Sequence, residues 1–386
     1  MQIMNRTFSF LILILVLLSS CKKTSLQIER KQGVSIDLNR NDLVSIFDLF
    51  TEIELIPLET NDESILSSPL GEPDEVRKYD DKYYFLDRKQ HSILIFDKEG
   101  QFFKKIDKRG GAPEEYISLE DFQINRFTGN IEILSAQGRC INIYDSYGDI
   151  FIGKIKFSKE MPVCHRFHHL SSDIYAFYSF AGNIKITFYS QKENKVFESA
   201  YNIPKWYGNN TTFFTGRNPF YLFRDSLFFA QKYNGDVFTV SPSNYELEPH
   251  FEWDFGKSNF DLSILPENES IEYYSELIKK INIGYAVNFQ IAQENSRYYF
   301  TRFKYENRYK HLIFDKLNNS YVLFEEFQEG GWCIPLWIDE ENIYAFVSPF
   351  YLDKVISLPV LDEKNKLKYL SIKDDDNLII VKYKLK

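Results

Sequence analysis

Short runs of alternating apolar and polar residues recur along the chain, and five of them share one pattern. Each reads as a short strand, usually ending in an aromatic residue, with an acidic residue and a turn often following. The five runs are ILIFDKEG (93–100), INIYDSYG (141–148), IKITFYSQKEN (184–194), DVFTVSPSN (236–244) and HLIFDKLNN (311–319). Alternation predicts half-buried β-strands. The ends rich in Gly and Asn predict hairpin turns.

Each run has another predicted strand before it, such as KYYFLD (82–87) or RYYFTRF (297–303), and one after it. The runs are anchored at Asp97, Asp145, Tyr189, Val240 and Asp315, which lie 48, 44, 51 and 75 residues apart. A period in the forties with about four short strands is typical of a β-propeller blade. The longest interval contains PENESIEYYSELIKKI (266–281), which predicts a helical insertion between blades four and five.

A sixth blade is predicted to begin at WCIPLWID (332–339) and to continue through NIYAFVS (342–348). Its next strand is either DKVISLP or the terminal LIIVKYKLK. We expect EIELIPLET (52–60) to complete this blade, because an open sheet edge invites aggregation. The predicted fold class is therefore all-β, a six-bladed β-propeller of four-stranded antiparallel blades with a short helical insertion. The predicted propeller spans residues 51–386.

The first twenty residues read as a secretory signal. Arg6 is followed by an apolar run from Phe8 to Leu18, too short to span a bilayer comfortably. The sequence Leu18-Ser19-Ser20-Cys21 resembles the bacterial lipobox, in which the cysteine receives lipid and the signal (1–20) is removed. The alternative is an ordinary signal peptide in which Cys21 is incidental. The lipobox reading predicts a membrane contact through lipid on Cys21 and a tether over residues 21–50.

By resemblance to known sorting rules, Lys22 and Lys23 after the cysteine favour the outer membrane. The acidic residues that often follow the cysteine in surface-exported lipoproteins of the Bacteroides group are absent, so we expect the protein to face the periplasm, with the cell surface as the alternative.

The chain carries net charge −9, or −10 once Arg6 is removed with the signal, which excludes the basic footprint of a nucleic-acid binder. Phe and Tyr are abundant (35 and 26 residues), which favours sheet.

The segment KRGGAPEEYISLEDFQIN (108–125) carries a resemblance to a known family. It is similar to the Gly-x-Gly-Pro-Gly-Glu-Tyr loop of six-bladed β-propeller lipoproteins of Bacteroides and relatives, which are related to NHL-type propellers. The matching positions are Gly110, Pro113, Glu115 and Tyr116. Ala112 and Glu114 stand where glycines are usual. The segments ELIPLET and DDDNLIIVKYKLK also resemble the two ends of sequences in this family. This resemblance favours the terminal strand as the next strand of blade six, with residues 351–370 partly helical. The resemblance implies the fold and leaves the activity open.

Three segments supply candidate ligand-binding residues. In the loop 110–116, Glu115 could offer a carboxylate to a cation or a sugar hydroxyl, or the loop could simply be a rigid crossing with Tyr116 packed between blades. In Cys164-His165-Arg166-Phe167-His168-His169, alternation places Arg166 and His168 on one face of the innermost strand of blade three. In 204–220, Trp206, Tyr207 and Arg217 could stack on a glycan or peptide, or pack between blades.

No catalytic motif stands out. The chain has no Gly-x-Ser-x-Gly elbow, no His-Glu-x-x-His and no phosphate loop, and Cys140, Cys164 and Cys333 fit neither a zinc site nor a disulfide framework. We predict no metal, no cofactor and no catalytic residue. The sequence favours a monomeric binding or scaffold module of the envelope that recognises a protein, peptide or glycan. The alternative is a propeller enzyme, a lyase or glycan-processing hydrolase, with its site at the central channel.

Overall fold

The computed structural model of the chain describes residues 32–67, 75–203, 215–266, 271–331 and 335–386. The described chain begins with strand β1 (Gln32–Ser35), helix α1 (Ile46–Leu49) and strand β2 (Phe50–Pro57). Cys21, Trp206, Tyr207 and Cys333 lie outside the described residues.

Six antiparallel sheets follow, and each is one blade. The first three blades take their strands in chain order. Blade one has β3 (Glu75–Tyr79), β4 (Lys82–Asp87), β5 (Ser92–Asp97) and β6 (Phe102–Ile106). Blade two has β7 (Asp121–Ile124), β8 (Ile131–Ser135), β9 (Cys140–Tyr144) and β10 (Phe151–Lys156). Blade three has β11 (Arg166–His169), β12 (Ile174–Tyr178), β13 (Ile184–Ser190) and β14 (Lys195–Asn202).

The last three blades carry the additions to this plan. Blade four has β15 (Phe220–Phe223), β16 (Ser226–Ala230), β17 (Asp236–Val240) and β18 (Leu247–Asp254). Helix α2 (Ile271–Gly284) precedes blade five, which has β19 (Val287–Glu294), β20 (Tyr298–Tyr305), β21 (Arg308–Asp315) and β22 (Ser320–Phe324). Blade six has β23 (Pro335–Ile338), β24 (Asn342–Val347) and β25 (Ile379–Leu385), with α3 (Leu352–Val355) and α4 (Glu363–Ser371) before β25. Short 3-10 turns lie at Gly256–Ser258, Leu262–Ile264, Pro349–Tyr351 and Leu358–Val360.

The six-bladed propeller of four-stranded blades and its helical insertion before blade five are confirmed. The acidic residue of the repeated pattern has a local cause. Asp97, Asp145 and Asp315 each use one carboxylate oxygen to accept hydrogen bonds from backbone N–H groups of the turn that follows. Such side-chain bonds hold a tight turn between neighbouring strands. The repeat is therefore visible in the sequence because blades one, two and five hold the same turn in the same way.

The two ends of the chain close the ring in blade six. β2 pairs with β25, with Ile53 opposite Tyr383 and Leu55 opposite Val381. The expectation that 52–60 completes this blade is confirmed, and the terminal strand, not DKVISLP, is its third strand. Burial explains the pairing, since Leu55 is fully buried in the cluster that blades five and six share with α3. Removing such a side chain from water contributes about 1.5–3 kcal/mol.

Helix α4 covers the outer edge of β2. The backbone N–H of Leu55 donates to Asn365 Oδ1 (2.8 Å), and Lys368 Nζ donates to the Leu55 carbonyl (2.6 Å). An uncovered edge strand presents unpaired N–H and C=O groups to other chains. Helix α4 thus provides hydrogen-bond partners for the N–H and C=O groups of Leu55 on the outer edge of β2.

Residues 33–49, within the described part of the segment 21–50 that was predicted to be a tether, lie against the propeller. β1 adds a fifth strand to blade four beside β18. Further along, Asp42 exchanges hydrogen bonds with Leu323 of blade five, backbone N–H to carbonyl at 2.7 Å and backbone N–H to carboxylate at 2.9 Å. These contacts are made between residues about 220 to 280 positions apart, so no local pattern could have indicated them.

Candidate functional site

A cavity of about 560 Å³ lies at the centre of the ring. Its wall is made by β3, by His168 of β11, by the segment 215–222 leading into β15, by 230–232 after β16, and by β19 and β23. Five of the six blades therefore contribute to one pocket. In a propeller the first strand of each blade faces the axis, which is why residues far apart in the chain meet here.

Seven charged side chains line this cavity. Four are cationic and three are carboxylates, so their formal sum is one positive charge. The cationic residues are Arg77, Lys78, Arg217 and Lys232, and the carboxylates are Glu75, Glu294 and Asp339.

Glu75 anchors a buried network between blades one, two and three. It contacts Arg77 at 2.9 Å and Arg166 at 3.3 Å, and it accepts the backbone N–H of Asn218 at 2.7 Å. Burial alone would raise the pKa of Glu75, but the two arginines outweigh it and hold that pKa below its ordinary value. The Arg77 guanidinium also lies 3.4 Å from a carboxylate oxygen of Asp121. Glu75 is thus a charged, fully engaged carboxylate.

The pKa of Asp121 shifts in the opposite direction from that of Glu75. It is fully buried, and burial raises its pKa to about 6 although Arg77 opposes the shift. Its oxygens accept from the backbone N–H groups of Phe122 (2.9 Å) and Phe167 (3.1 Å) and from the Asn218 amide (3.2 Å). These bonds tie the inner strands of blades two and three to the 215–219 segment. Asp121 serves this network without itself lining the cavity.

Glu294 holds a second network between blades four and five. Its two oxygens contact His250 Nε2 at 2.7 Å and Lys316 Nζ at 2.6 Å, and Tyr221 donates its hydroxyl at 3.3 Å. Burial would raise the pKa of Glu294, but the hydrogen bonds from His250 and Lys316 lower it below its ordinary value. Asp339 is likewise engaged, because it accepts from two backbone N–H groups and from Tyr344. All three carboxylates of the cavity therefore have fixed partners.

Gln231 and Lys232 differ from these engaged residues. Gln231 is 3% exposed, its Oε1 accepts the Tyr178 hydroxyl at 3.2 Å, and its buried Nε2 has no hydrogen-bond partner among the described residues. Lys232 is half-buried, and burial lowers the pKa of its ammonium. Its ammonium group donates to the Thr215 carbonyl at 3.4 Å. Strand β16 ends at Ala230, so the side chains of Gln231 and Lys232 need not point to opposite faces as they would within a strand. Both residues line the cavity.

Of the candidate ligand-binding residues that the sequence suggested, the structure places some at the cavity and one away from it. His168 lines the cavity, and Arg166 binds Glu75, which lines it too. Arg217 also lines the cavity and donates to the Pro335 carbonyl at 3.3 Å. Glu115 instead folds onto its own loop, where it accepts the Ala112 N–H at 2.8 Å. A Cβ on Gly110 would lie 1.9 Å from this carboxylate, so a side chain there would displace the Glu115 carboxylate.

Sequence reasoning missed Gln231, Lys232, Glu75 and Glu294. The available signal was weak. Glu75 begins inner strand β3 and Glu294 ends inner strand β19, and neither strand was predicted from the sequence. Gln231 and Lys232 follow directly after the apolar residues DSLFFA. Within the described parts of the chain, no three His, Cys, Asp or Glu side chains converge as a metal site would require. In the same residues, no helix is long and apolar enough to cross a membrane.

Comparison with known proteins identifies the fold. The profile of a family described as "Domain of unknown function (DUF4934)" matches residues 33–384. A crystal structure of a protein of Bacteroides fragilis NCTC 9343 that is inferred to be exported is similar over 92% of this chain and 99% of that one, with 15% identity and a TM-score of 0.69. The expected likeness to six-bladed propellers of Bacteroides is therefore confirmed.

Two further structures are more distant. A DUF4221 family member from Bacteroides vulgatus has 11% identity and a TM-score of 0.49, over 88% of this chain and 97% of that one. Virginiamycin B lyase from Staphylococcus aureus has 12% identity and a TM-score of 0.38, over 71% and 74%. No curated protein matches the chain.

Proposed function

Since this chain belongs to the DUF4934 family, whose description assigns no activity, we propose a function for it from the geometry of the central cavity. The propeller is a binding module that holds a small polar ligand, a sugar unit or the end of a peptide. The observation that carries this proposal is the cavity itself. Its volume of about 560 Å³ is in the usual range for ligand pockets, and a few polar groups converge on it from five blades.

The place of action in this proposal is the cell envelope. The apolar run that ends in Leu18-Ser19-Ser20-Cys21 supports export and attachment of lipid to Cys21. The B. fragilis protein with the same fold is inferred to be exported as well, which agrees with this placement. A lipid anchor on the outer membrane, with the propeller facing the periplasm, is the specific form that we propose.

One observation favours the alternative of an enzyme. The cavity is lined by His168 and three carboxylates, and shifted pKa values gather around it, as they do at catalytic sites. Against catalysis, Glu75 and Glu294 are charged and held by fixed partners, and burial together with neighbouring cations lowers the pKa of His168 to about 3. A general acid or base needs a pKa near the working pH. Binding therefore fits this arrangement better than proton transfer.

The proposal is tested by filling the cavity. Ala292 on β19 is half-buried, lines the cavity and packs against the hydrophobic cluster shared by blades four and five, so Ala292→Phe adds bulk where that cluster meets the space that a ligand would occupy. Ala181 is exposed in a turn of blade three, and Ala181→Phe is the matched control. The full-length chain and both variants are dialysed to equilibrium against the small molecules of an envelope extract. Mass spectrometry then identifies the compounds enriched on the protein side.

We expect the parent and Ala181→Phe to retain the same small compound, and Ala292→Phe to lose at least nine-tenths of it. Equal retention by Ala292→Phe would show that the central cavity is not the binding site. Conversion of the retained compound to a product by the parent chain would favour the enzyme.

A further inference from the structure

Two residues of the cavity that are adjacent in the chain keep hydrogen-bond donors available. Gln231 lines the cavity and has a buried Nε2 with no partner among the described residues, and Lys232 lines it with an ammonium group whose one hydrogen bond, to the Thr215 carbonyl, is long at 3.4 Å. Buried donors in native structures are nearly always satisfied by protein, water or ligand, so a ligand oxygen in the cavity is one acceptor that could satisfy Gln231. Leaving it unsatisfied costs about 1–3 kcal/mol.

Lys232 is half-buried without an acidic partner. Within the described residues, no carboxylate lies within 4 Å of its ammonium group, whereas the cavity residues Arg77 and Lys78 both have one. Burial of an unpaired cation is unfavourable, and burial lowers the Lys232 pKa accordingly. An anion bound in the cavity would remove this penalty.

The cavity's carboxylates are engaged by other cations, among them Arg77, Lys78 and Lys316. Lys232 keeps one positive charge with no carboxylate within 4 Å among the described residues, and one negative charge on a ligand would match it. A planar carboxylate can also accept from the Gln231 amide with one oxygen and from Lys232 with the other.

His168 indicates which hydrogen-bonding groups the rest of the ligand carries. Its Nδ1 lies 3.2 Å from the His169 carbonyl, and since a carbonyl only accepts, Nδ1 carries the proton. With a pKa lowered to about 3 the ring is neutral near pH 7, so Nε2 is an acceptor. His168 lines the cavity, so a ligand bound there would need a hydrogen-bond donor, such as a hydroxyl or amide N–H group, to pair with this acceptor.

From these contacts we infer that the cavity binds the carboxylate of a small hydrogen-bonding acid, held by Lys232 and Gln231. The inference rests on the proposed binding function and names the chemistry of its ligand. Two sources share that chemistry, a sugar acid and the carboxyl end of a peptide. The recognition of either requires the same pair of donors on blade four.

The test uses three pairs of probes whose members differ only in ending with a carboxylate or with its neutral amide. Each pair is an acid and its amide: acetate and acetamide, glucuronate and glucuronamide, N-acetylglycine and N-acetylglycinamide. The full-length chain in mild detergent is titrated with each probe to 20 mM, and binding is measured by NMR on the side-chain amide of Gln231. Inorganic phosphate is titrated in the same way.

We expect the acids to bind at least tenfold more tightly than their amides. Lys232→Met should lower the affinity for the acids at least tenfold. Lys232→Arg, which keeps the charge, should lower it threefold or less. The matched control is Lys192→Met, which removes the same charge from an exposed lysine on blade three and should change affinity less than twofold. Tighter binding of glucuronate than of N-acetylglycine identifies a sugar acid, and the reverse identifies a peptide end.

Equal binding of acids and amides would overturn the inference, as would equal behaviour of Lys232→Met and Lys192→Met. Phosphate binding tenfold more tightly than acetate, or no response to any of the three acids, would also overturn it. These failures are distinct from failure of the proposed function. If Ala292→Phe still loses the envelope compound while the acids do not bind, the cavity binds a ligand of another chemistry.

Discussion

Closure of the ring by β2 predicts a large difference between two leucines of the same segment. Leu55 lies on β2, is fully buried, and packs in the cluster shared by blades five and six. Leu43 lies twelve positions earlier and is 84% exposed. Leu55→Ala should cost about 2–5 kcal/mol in the free energy of unfolding, from lost burial and the cavity left behind. Leu43→Ala should stay within about 0.5 kcal/mol of the parent.

The melting temperature gives the assay. Unfolding entropy is about 2.1 cal/mol/K per residue, so for a chain of this length each kcal/mol shifts the melting temperature by roughly 1.2 °C. Leu55→Ala should then melt about 2–6 °C below the parent, and Leu43→Ala less than about 1 °C below it. Circular dichroism at one scan rate compares the three proteins. If the two variants melt together, β2 does not belong to the cooperative unit and the closure argument is refuted.

Three further predictions follow from the same structure. Asn365→Leu removes the acceptor of the buried Leu55 N–H and should cost about 1–3 kcal/mol, measured by urea unfolding; an unchanged midpoint would show that α4 is dispensable for the edge. Glu294 has a lowered pKa, so its stabilisation is present above its ordinary value of 4.5 and is lost as pH falls through the folded value. Glu294→Gln should therefore flatten the loss of stability below pH 4.5, while exposed Glu326→Gln should not, and parallel curves would contradict the ion network. Cys21→Ser should abolish lipid labelling and release the protein from the membrane fraction, and unchanged membrane association would refute the lipobox interpretation.

The blades could be predicted because their sequence signals are local. Asp97, Asp145 and Asp315 mark the turns after third strands, and each carboxylate acts within about five residues of itself. The order of strands then follows from the meander. The place of 52–60 was also predictable, because a ring must close and this strand lies upstream of blade one without a partner of its own. By contrast, the pairing of β1 with blade four depends on contacts over about 220 positions and leaves no pattern in the sequence.

The candidate site was predicted only where strand alternation governs it. Alternation along β11 placed Arg166 and His168 on the same face of the strand, and the structure brings both to the cavity or its network. Gln231 and Lys232 lie just beyond a strand, where alternation no longer applies, and their importance comes from lacking partners, which only the folded arrangement reveals. Glu115 had the right chemistry for a site, but its own loop satisfies it.

The central claim is that the axial cavity holds the ligand, and a crystal structure of the full-length chain with the compound recovered by dialysis tests it most directly. The account predicts electron density for that compound inside the ring, with an acceptor atom within about 3 Å of Gln231 Nε2, the distance of an ordinary hydrogen bond. Density for the compound on an outer strand or on a rim loop, with the cavity filled by solvent alone, would contradict it.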